Sequence, residues 1–214
     1  MYIPAKKHLK PTSEDDPLKY YFYYFPMGYL MRLRLYCLLS LLNGQVFPDF
    51  LEAGYGSGIM LPELTRHVNG KVFALDTHDQ QSSVAEMLQT EHISDKVVLL
   101  RGSVLDMPFK DGQFSGIAAV SILEHIRDID RAVEELYRIT RKGGRVFLGV
   151  PVHNFFIWLL SKLTKWNYRE HHVTDHQRII TAIRKKFVIE RVNRFPGFVP
   201  VDWGMYLAIS CRRE

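Results

Sequence analysis

The chain has 214 residues, 47% hydrophobic and 24% charged, with a formal net charge of +5. That length suits one α/β domain with a modest extension, and the composition excludes a disordered chain. Cys37 and Cys211 lie far apart and match neither a disulfide framework nor a metal spacing, so both read as small buried hydrophobes.

The N-terminus, KKHLKPTSEDD, is too charged and Pro-broken for a secretory leader. The apolar run Met27–Leu42 is interrupted by Arg32 and Arg34, short of the roughly 18 uncharged residues of a spanning helix. The expectation is a cytoplasmic protein, soluble or peripheral to a membrane. Residues 1–48 form an N-terminal extension, helical after Pro26, with the aromatic stretch Tyr20–Phe25 as a lid element.

From residue 49 apolar runs alternate with helical patterns, which is the mark of βαβ units around a parallel sheet. The first strand, Asp49–Ala53, runs through the turn GYGSG into a helix over about Ile59–Val68. A strand at Val72–Asp76 is followed by a helix near Ser82–His92 and a strand at Val97–Arg101. The strand Phe114–Ile122 precedes a helix at Ile129–Thr140, whose apolar positions Ile129, Ala132, Val133, Leu136 and Ile139 keep a 3.6-residue period. RKGG reads as its left-handed glycine cap, at Gly143 and Gly144, and Arg145–Val150 as strand five. Residues 152–214 hold an aromatic lid segment, Asn154–Thr164, a helix Thr174–Lys185 and two last strands, Phe187–Asn193 and Met205–Arg212. The fold class expected is a Rossmann-like, doubly wound, mostly parallel sheet with a lid insertion after strand five. It is one domain over 1–214, with its cofactor-binding core at 49–151.

The chemistry concentrates in Glu52-Ala53-Gly54-Tyr55-Gly56-Ser57-Gly58. Glycines there let the chain turn sharply and leave backbone bare for a ligand at a helix start. A dinucleotide fingerprint needs its third glycine at position 59, which is Ile59, and a phosphate loop needs Gly-Lys-Ser/Thr, which Gly58-Ile59-Met60 excludes. The acid before the loop repels pyrophosphate but suits a cofactor with a cationic amino group and no phosphate, as adenosylmethionine has. Asp76, ending strand two, can accept from both ribose hydroxyls. Asp106, with Val104 and Leu105, can face an adenine.

The runs LEAGYGSG, FALD, GSVLDMPFKDGQFSGIAAVSILEHI and RAVEELYRITRKGGRVFLGVP together resemble the class I S-adenosylmethionine-dependent methyltransferases, in particular the methyltransferase-11-like small-molecule group. The resemblance implies S-adenosyl-L-methionine as cofactor. It puts Glu52, Gly54, Gly56 and Gly58 at the methionine end, with Tyr55 on the pocket floor. Asp76, with Thr77 beside it, takes the ribose; Ser103, Val104, Leu105 and Asp106 surround the adenine, and Ser121 faces the sulfonium. Lys186-Phe187 departs from the Gly-Phe often found in the family, and Tyr55 stands where a small residue is common.

A base is needed only if the acceptor must lose a proton, and His125, just past strand four, is the candidate. No metal is expected. Glu124 and His125 could ligate an ion, but Ser121 replaces the third acidic ligand of similar quinone O-methyltransferases, and His153, His171, His172 and His176 match no zinc spacing. Net charge is +3 over 1–48, −4 over 49–151 and +6 over 152–214. Basic, aromatic ends, with FFIWLL at Phe155–Leu160 rimmed by Lys162, Lys165 and Arg169, suit a hydrophobic or amphiphilic small acceptor or an anionic membrane surface. A cofactor-binding partner subunit without catalysis stays open, as does a nucleic-acid or protein methyltransferase. No Asn-Pro-Pro-Tyr-type motif follows strand four to favour DNA.

Overall fold

Seven short runs rich in β-branched and aromatic residues form one sheet: β1 (Phe50–Ala53), β2 (Val72–Asp76), β3 (Val97–Arg101), β4 (Phe114–Val120), β5 (Thr140–Pro151), β6 (Val188–Phe195) and β7 (Tyr206–Arg212). The structure, a computed structural model, describes residues 1–12, 16, 18–22, 25, 27–152, 154, 173–197, 200 and 203–214. The strand order is β3-β2-β1-β4-β5-β7-β6. The pairs β1–β2, β1–β4, β2–β3 and β4–β5 are parallel, and β7 runs antiparallel to both β5 and β6. This is the doubly wound, mostly parallel, Rossmann-like sheet expected. Its order reverses between β1 and β4, which opens a crevice at their carboxyl ends, where such sheets bind ligands.

Among the described residues, six helices flank the strands: α1 (Leu18–Tyr21), α2 (Met27–Leu39), α3 (Leu61–Leu64), α4 (Gln81–Thr90), α5 (Ile129–Ile139) and α6 (His176–Arg184). Successive side chains of a strand point to opposite faces. Leu51, Ile117, Val146 and Ile209 accordingly enter one core with α5 and α6. Phe50, Ala118, Phe147 and Ala208 enter the other with α2 and α4. Asp128 and Asp175 cap the starts of α5 and α6, accepting from the N–H groups of Arg131 (3.2 Å) and Arg178 (2.8 Å).

Two local expectations need correction. The helix expected over Ile59–Val68 is only α3 followed by a 3-10 turn at Thr65–His67. Pro62 lacks an N–H and fits only a first helical turn, so the helix starts at Leu61 and not at Ile59. Gly143 and Gly144 do not cap α5: that helix ends at Ile139, Thr140 is already extended, and both glycines lie within β5. The cap is Arg213, whose Nη1 donates to the carbonyls of Tyr137 (2.8 Å), Arg138 (3.1 Å) and Thr140 (2.6 Å).

The N-terminal extension is part of the fold. Tyr2 N–H donates to Glu63 (2.7 Å), His8 bonds Glu91 (2.7 Å) and Lys10 donates to Glu86 (2.5 Å), strapping the first residues across α3 and α4. Leu9, Leu18 and Tyr21 are buried in the core beneath α2. The aromatic lid at Phe155–Leu160, its rim at Lys162, Lys165 and Arg169, and His153, His171 and His172 lie outside the described residues, as do Tyr23 and Tyr24.

Candidate functional site

The end of β1 and the loop after it carry the first group of side chains. Gly54, Gly56 and Gly58 have φ of +80°, +49° and +75°, a region L side chains rarely adopt. A Cβ at Gly56 would meet nothing within 4 Å, so this backbone borders open space. Asp76, ending the neighbouring β2, reaches across: its Oδ2 accepts from Gly56 N–H at 2.8 Å and its Oδ1 from Thr77 N–H at 2.7 Å. Oδ1 also accepts from His78 N–H at 3.4 Å, so the further lone pair for a ligand hydroxyl is on Oδ2. His78 braces the turn, its Nε2 donating to the Gly56 carbonyl at 3.0 Å and its ring meeting Tyr55 edge-on at 4.8 Å.

Glu52 is 2% exposed and its Oε2 has no hydrogen-bond partner. Burial, reinforced by the charge of Asp76, pushes its carboxyl well above the usual range. A cation placed beside it would relieve that penalty. Tyr55 is buried beside it, its hydroxyl pushed up to about 12 by burial first and Asp76 second.

Ser103 to Asp106 form a tight turn after β3, in which Leu105 N–H donates to Ser103 Oγ at 3.1 Å. Val104 is buried, Leu105 half-buried and the Asp106 carboxylate exposed, so an apolar floor lies beside an acceptor. Arg138 and Glu135 on α5 fix the following segment: Glu135 Oε2 accepts from Met107 N–H at 2.9 Å, and Arg138 donates to the Met107 (2.9 Å) and Phe109 (2.7 Å) carbonyls.

Ser121 follows β4 with φ +51°, unusual for a residue with a side chain. Its Oγ accepts from Arg34 Nη2 at 2.7 Å. His125 is exposed on the 3-10 turn Leu123–His125, whereas its neighbour Glu124 is 2% exposed and has an unpartnered Oε2. Burial pushes Glu124 up to about 7, against the downward pull of backbone hydrogen bonding and Arg34. The fold thus brings Glu52, the glycine turn, Asp76 and Ser121 to one crevice, with the Ser103–Asp106 turn beyond β2.

Arg34 and Tyr206 had no site role in the sequence reading. Arg34 had a signal: it breaks the apolar pattern of α2 four residues before buried Leu38, on the helix's inner face. Tyr206 had none, since its place depends on the antiparallel β5–β7 pairing. A groove lined by Gln45–Pro48 and Arg141–Arg145 carries none of these groups.

The sequence model of the family described as "Methyltransferase domain" matches residues 51–148. A sterol 24-C-methyltransferase of Aspergillus fumigatus is 25% identical over 112 residues, which is 52% of this chain and 28% of that protein. A demethylmenaquinone methyltransferase of Alkalihalophilus pseudofirmus is 31% identical over 88 residues, 41% of this chain and 37% of that protein. The chain thus spans well under half the length of these curated relatives. Among solved structures, a geranyl diphosphate C-methyltransferase from Streptomyces coelicolor A3(2) superposes with a TM-score of 0.72 at 17% identity. The superposition covers 88% of this chain and 81% of that one, and that structure is a complex with Mg2+, geranyl diphosphate and S-adenosyl-L-homocysteine.

Proposed function

For a chain that has the class I methyltransferase fold and whose residues 51–148 match the methyltransferase-domain model, we propose transfer of a methyl group from S-adenosyl-L-methionine to a small hydrophobic or amphiphilic acceptor. The observation that carries this reading is the open backbone at Gly56, flanked by Asp76 and by a buried Glu52 whose Oε2 has no hydrogen-bond partner. An amino-acid ammonium fits beside Glu52, a ribose against Asp76 and Thr77, and an adenine against Val104, Leu105 and Asp106, with Ser103 holding that turn. Gly54 and Gly58 shape the bend, Tyr55 closes its floor, and Ser121 faces the reacting end.

When bound, the cofactor supplies an electrophilic methyl group on a sulfonium. The chain's task is then to align the acceptor and keep water out, an effect worth about 7–11 kcal/mol. Burial around Glu52, Tyr55 and Glu124 supplies the dry surroundings. A proton leaving the acceptor has two candidate bases, exposed His125 and buried Glu124. The relatives named for a sterol and a demethylmenaquinone, and the structural neighbour bound to geranyl diphosphate, support an apolar acceptor. No helix among the described residues is long and apolar enough to cross a membrane; peripheral contact is part of this proposal.

Titration calorimetry tests the cofactor. Adenosylhomocysteine should bind and NAD should not. Asp76→Ala should weaken adenosylhomocysteine by about 1.5–3 kcal/mol, the worth of hydrogen bonds to a charged group. Gly56→Val should do at least as much, because its side chain would enter the open space. Normal binding by both folded variants would move the ligand elsewhere.

A further inference from the structure

Facing α2, at the carboxyl edge of the sheet, polar groups are enclosed of which the cofactor reading uses Ser121 alone. Arg34 donates from Nη2 to Ser121 Oγ at 2.7 Å, and its Nη1 meets Met31 Sδ at 3.4 Å. The guanidinium lies 4.5 Å over the Tyr206 ring, and its buried Nε–H has no hydrogen-bond partner. No ion pair joins it to a carboxylate among the described residues.

Tyr206 is fully buried, and its hydroxyl lies near Ser121 and Arg34 without a hydrogen bond of full geometry to either. It fits there because Gly149, on the paired strand, has no side chain: a Cβ would overlap that hydroxyl. Glu124 contributes another buried, unpartnered oxygen within the field of Arg34. Three unsatisfied groups of complementary kind in one enclosure call for a partner that both donates and accepts. The enclosure adjoins the glycine turn, since Ile122, next to Ser121, packs so closely that a Cβ on Gly54 would lie 2.5 Å from its Cδ1.

The chemistry of the set selects among acceptors. A protonated amine is repelled by the guanidinium. A carboxylate or phosphate suits Arg34 but is opposed by Glu124. A hydroxyl enters neutral and becomes anionic only as it reacts, so it uses both groups in turn. We propose that Arg34, Ser121, Tyr206 and Glu124 form the subsite for the acceptor's reacting hydroxyl, a phenol or enol oxygen that gives its proton to Glu124 and is held as an oxyanion by Arg34 and Tyr206. This rests on the methyl-transfer reading above. In the balanced step the O–H proton passes to Glu124 Oε2 and the oxygen's electron pair forms the new O–C bond. The S–C pair returns to sulfur, leaving adenosylhomocysteine, and the proton then leaves Glu124 for solvent. Besides Arg34 from α2 and Tyr206 from β7, the titratable group that α6 buries where it packs on this turn is His176.

The probe is para-nitrophenol, whose ionised form absorbs visible light, titrated against the protein with adenosylhomocysteine present. Bound probe should ionise about one pH unit or more below free probe, as expected beside a buried cation. Arg34→Met should abolish that shift and weaken the probe roughly tenfold to a hundredfold while adenosylhomocysteine binds as before. Tyr206→Phe, a milder change, should reduce the shift. Glu124→Gln should keep the bound absorption yet lower kcat on a phenol acceptor by roughly a hundredfold or more. The proposal is overturned if adenosylhomocysteine binds and the phenol does not, or if the phenol's titration ignores Arg34→Met. Arg34-dependent binding of benzoate in place of the phenol overturns it too, by making this a carboxylate site. Arg34-dependent phenol binding without adenosylhomocysteine binding would instead remove the cofactor reading and leave this subsite standing.

Discussion

Glu124 and His125 are adjacent, yet the 3-10 turn sends one inward and leaves the other in water. That difference has a measurable consequence for stability. Burial raises Glu124 from its ordinary 4.5 to about 7. Below pH 4.5 both folded and unfolded chains hold this proton, and the contribution to stability is complete. As pH rises to about 7 the unfolded chain releases it first, and stability falls by on the order of 3 kcal/mol before levelling. In Glu124→Gln that component of the fall should vanish, so the variant gains on the parent between pH 4.5 and 7 in urea midpoints; parallel curves would contradict it. Residues of the glycine turn were legible in the sequence because their constraint is local: positive φ, bare backbone and an acid within a few positions. Glu124 was legible only as a metal-ligand candidate, because nothing in LEH tells which side chain the turn buries.

Elements followed the apolar pattern closely wherever that local pattern alone decided them. Val72–Asp76 and Val97–Arg101 form strands at the expected residues, and α5 ends one residue short of its expected limit. Periodicity failed where a distant partner decides the end of an element, as Arg213 does for α5. Its guanidinium also stacks on Tyr137 at 4.2 Å, joining the last residues of the chain to a helix end remote in sequence. Arg213→Met should lower stability by about 2 kcal/mol, the scale of hydrogen bonds from a charged group to the carbonyls of a helix end. Adenosylhomocysteine affinity should stay unchanged, because the cap is remote from the glycine turn. A chemical denaturation curve with an unshifted midpoint would show that water replaces the cap without loss. The N-terminal segment shows the same dependence on distant partners: its Leu9, Leu18 and Tyr21 join the core beneath α2.

At the scale of the molecule, α2 joins two surfaces of opposite character. Its inner face carries Arg34, Leu35 and Leu38 toward the enclosed polar set. Its outer face, at helical spacing, shows Tyr29 (57% exposed), Arg32 and Tyr36 (59%), and Phe25, just before the helix, is 84% exposed. Aromatic rings alternating with a cation suit the boundary of an anionic bilayer, where rings enter the headgroup region and the guanidinium meets phosphate. The charge distribution agrees, because the basic excess falls in residues 1–48 and 152–214 while the middle is acidic. An apolar acceptor dissolved in a bilayer would then arrive beside the helix that bears the hydroxyl subsite. Vesicles containing phosphatidylserine should therefore sediment the protein, and more weakly as salt rises from about 0.05 to 0.3 M, since screening shortens the reach of surface charge. The double variant Tyr29→Ser, Tyr36→Ser should lower that binding severalfold at constant charge, while adenosylhomocysteine binds as before. Equal sedimentation of variant and parent would mean that the aromatic face of α2 meets no membrane, and binding to neutral vesicles alone would remove the role given to charge.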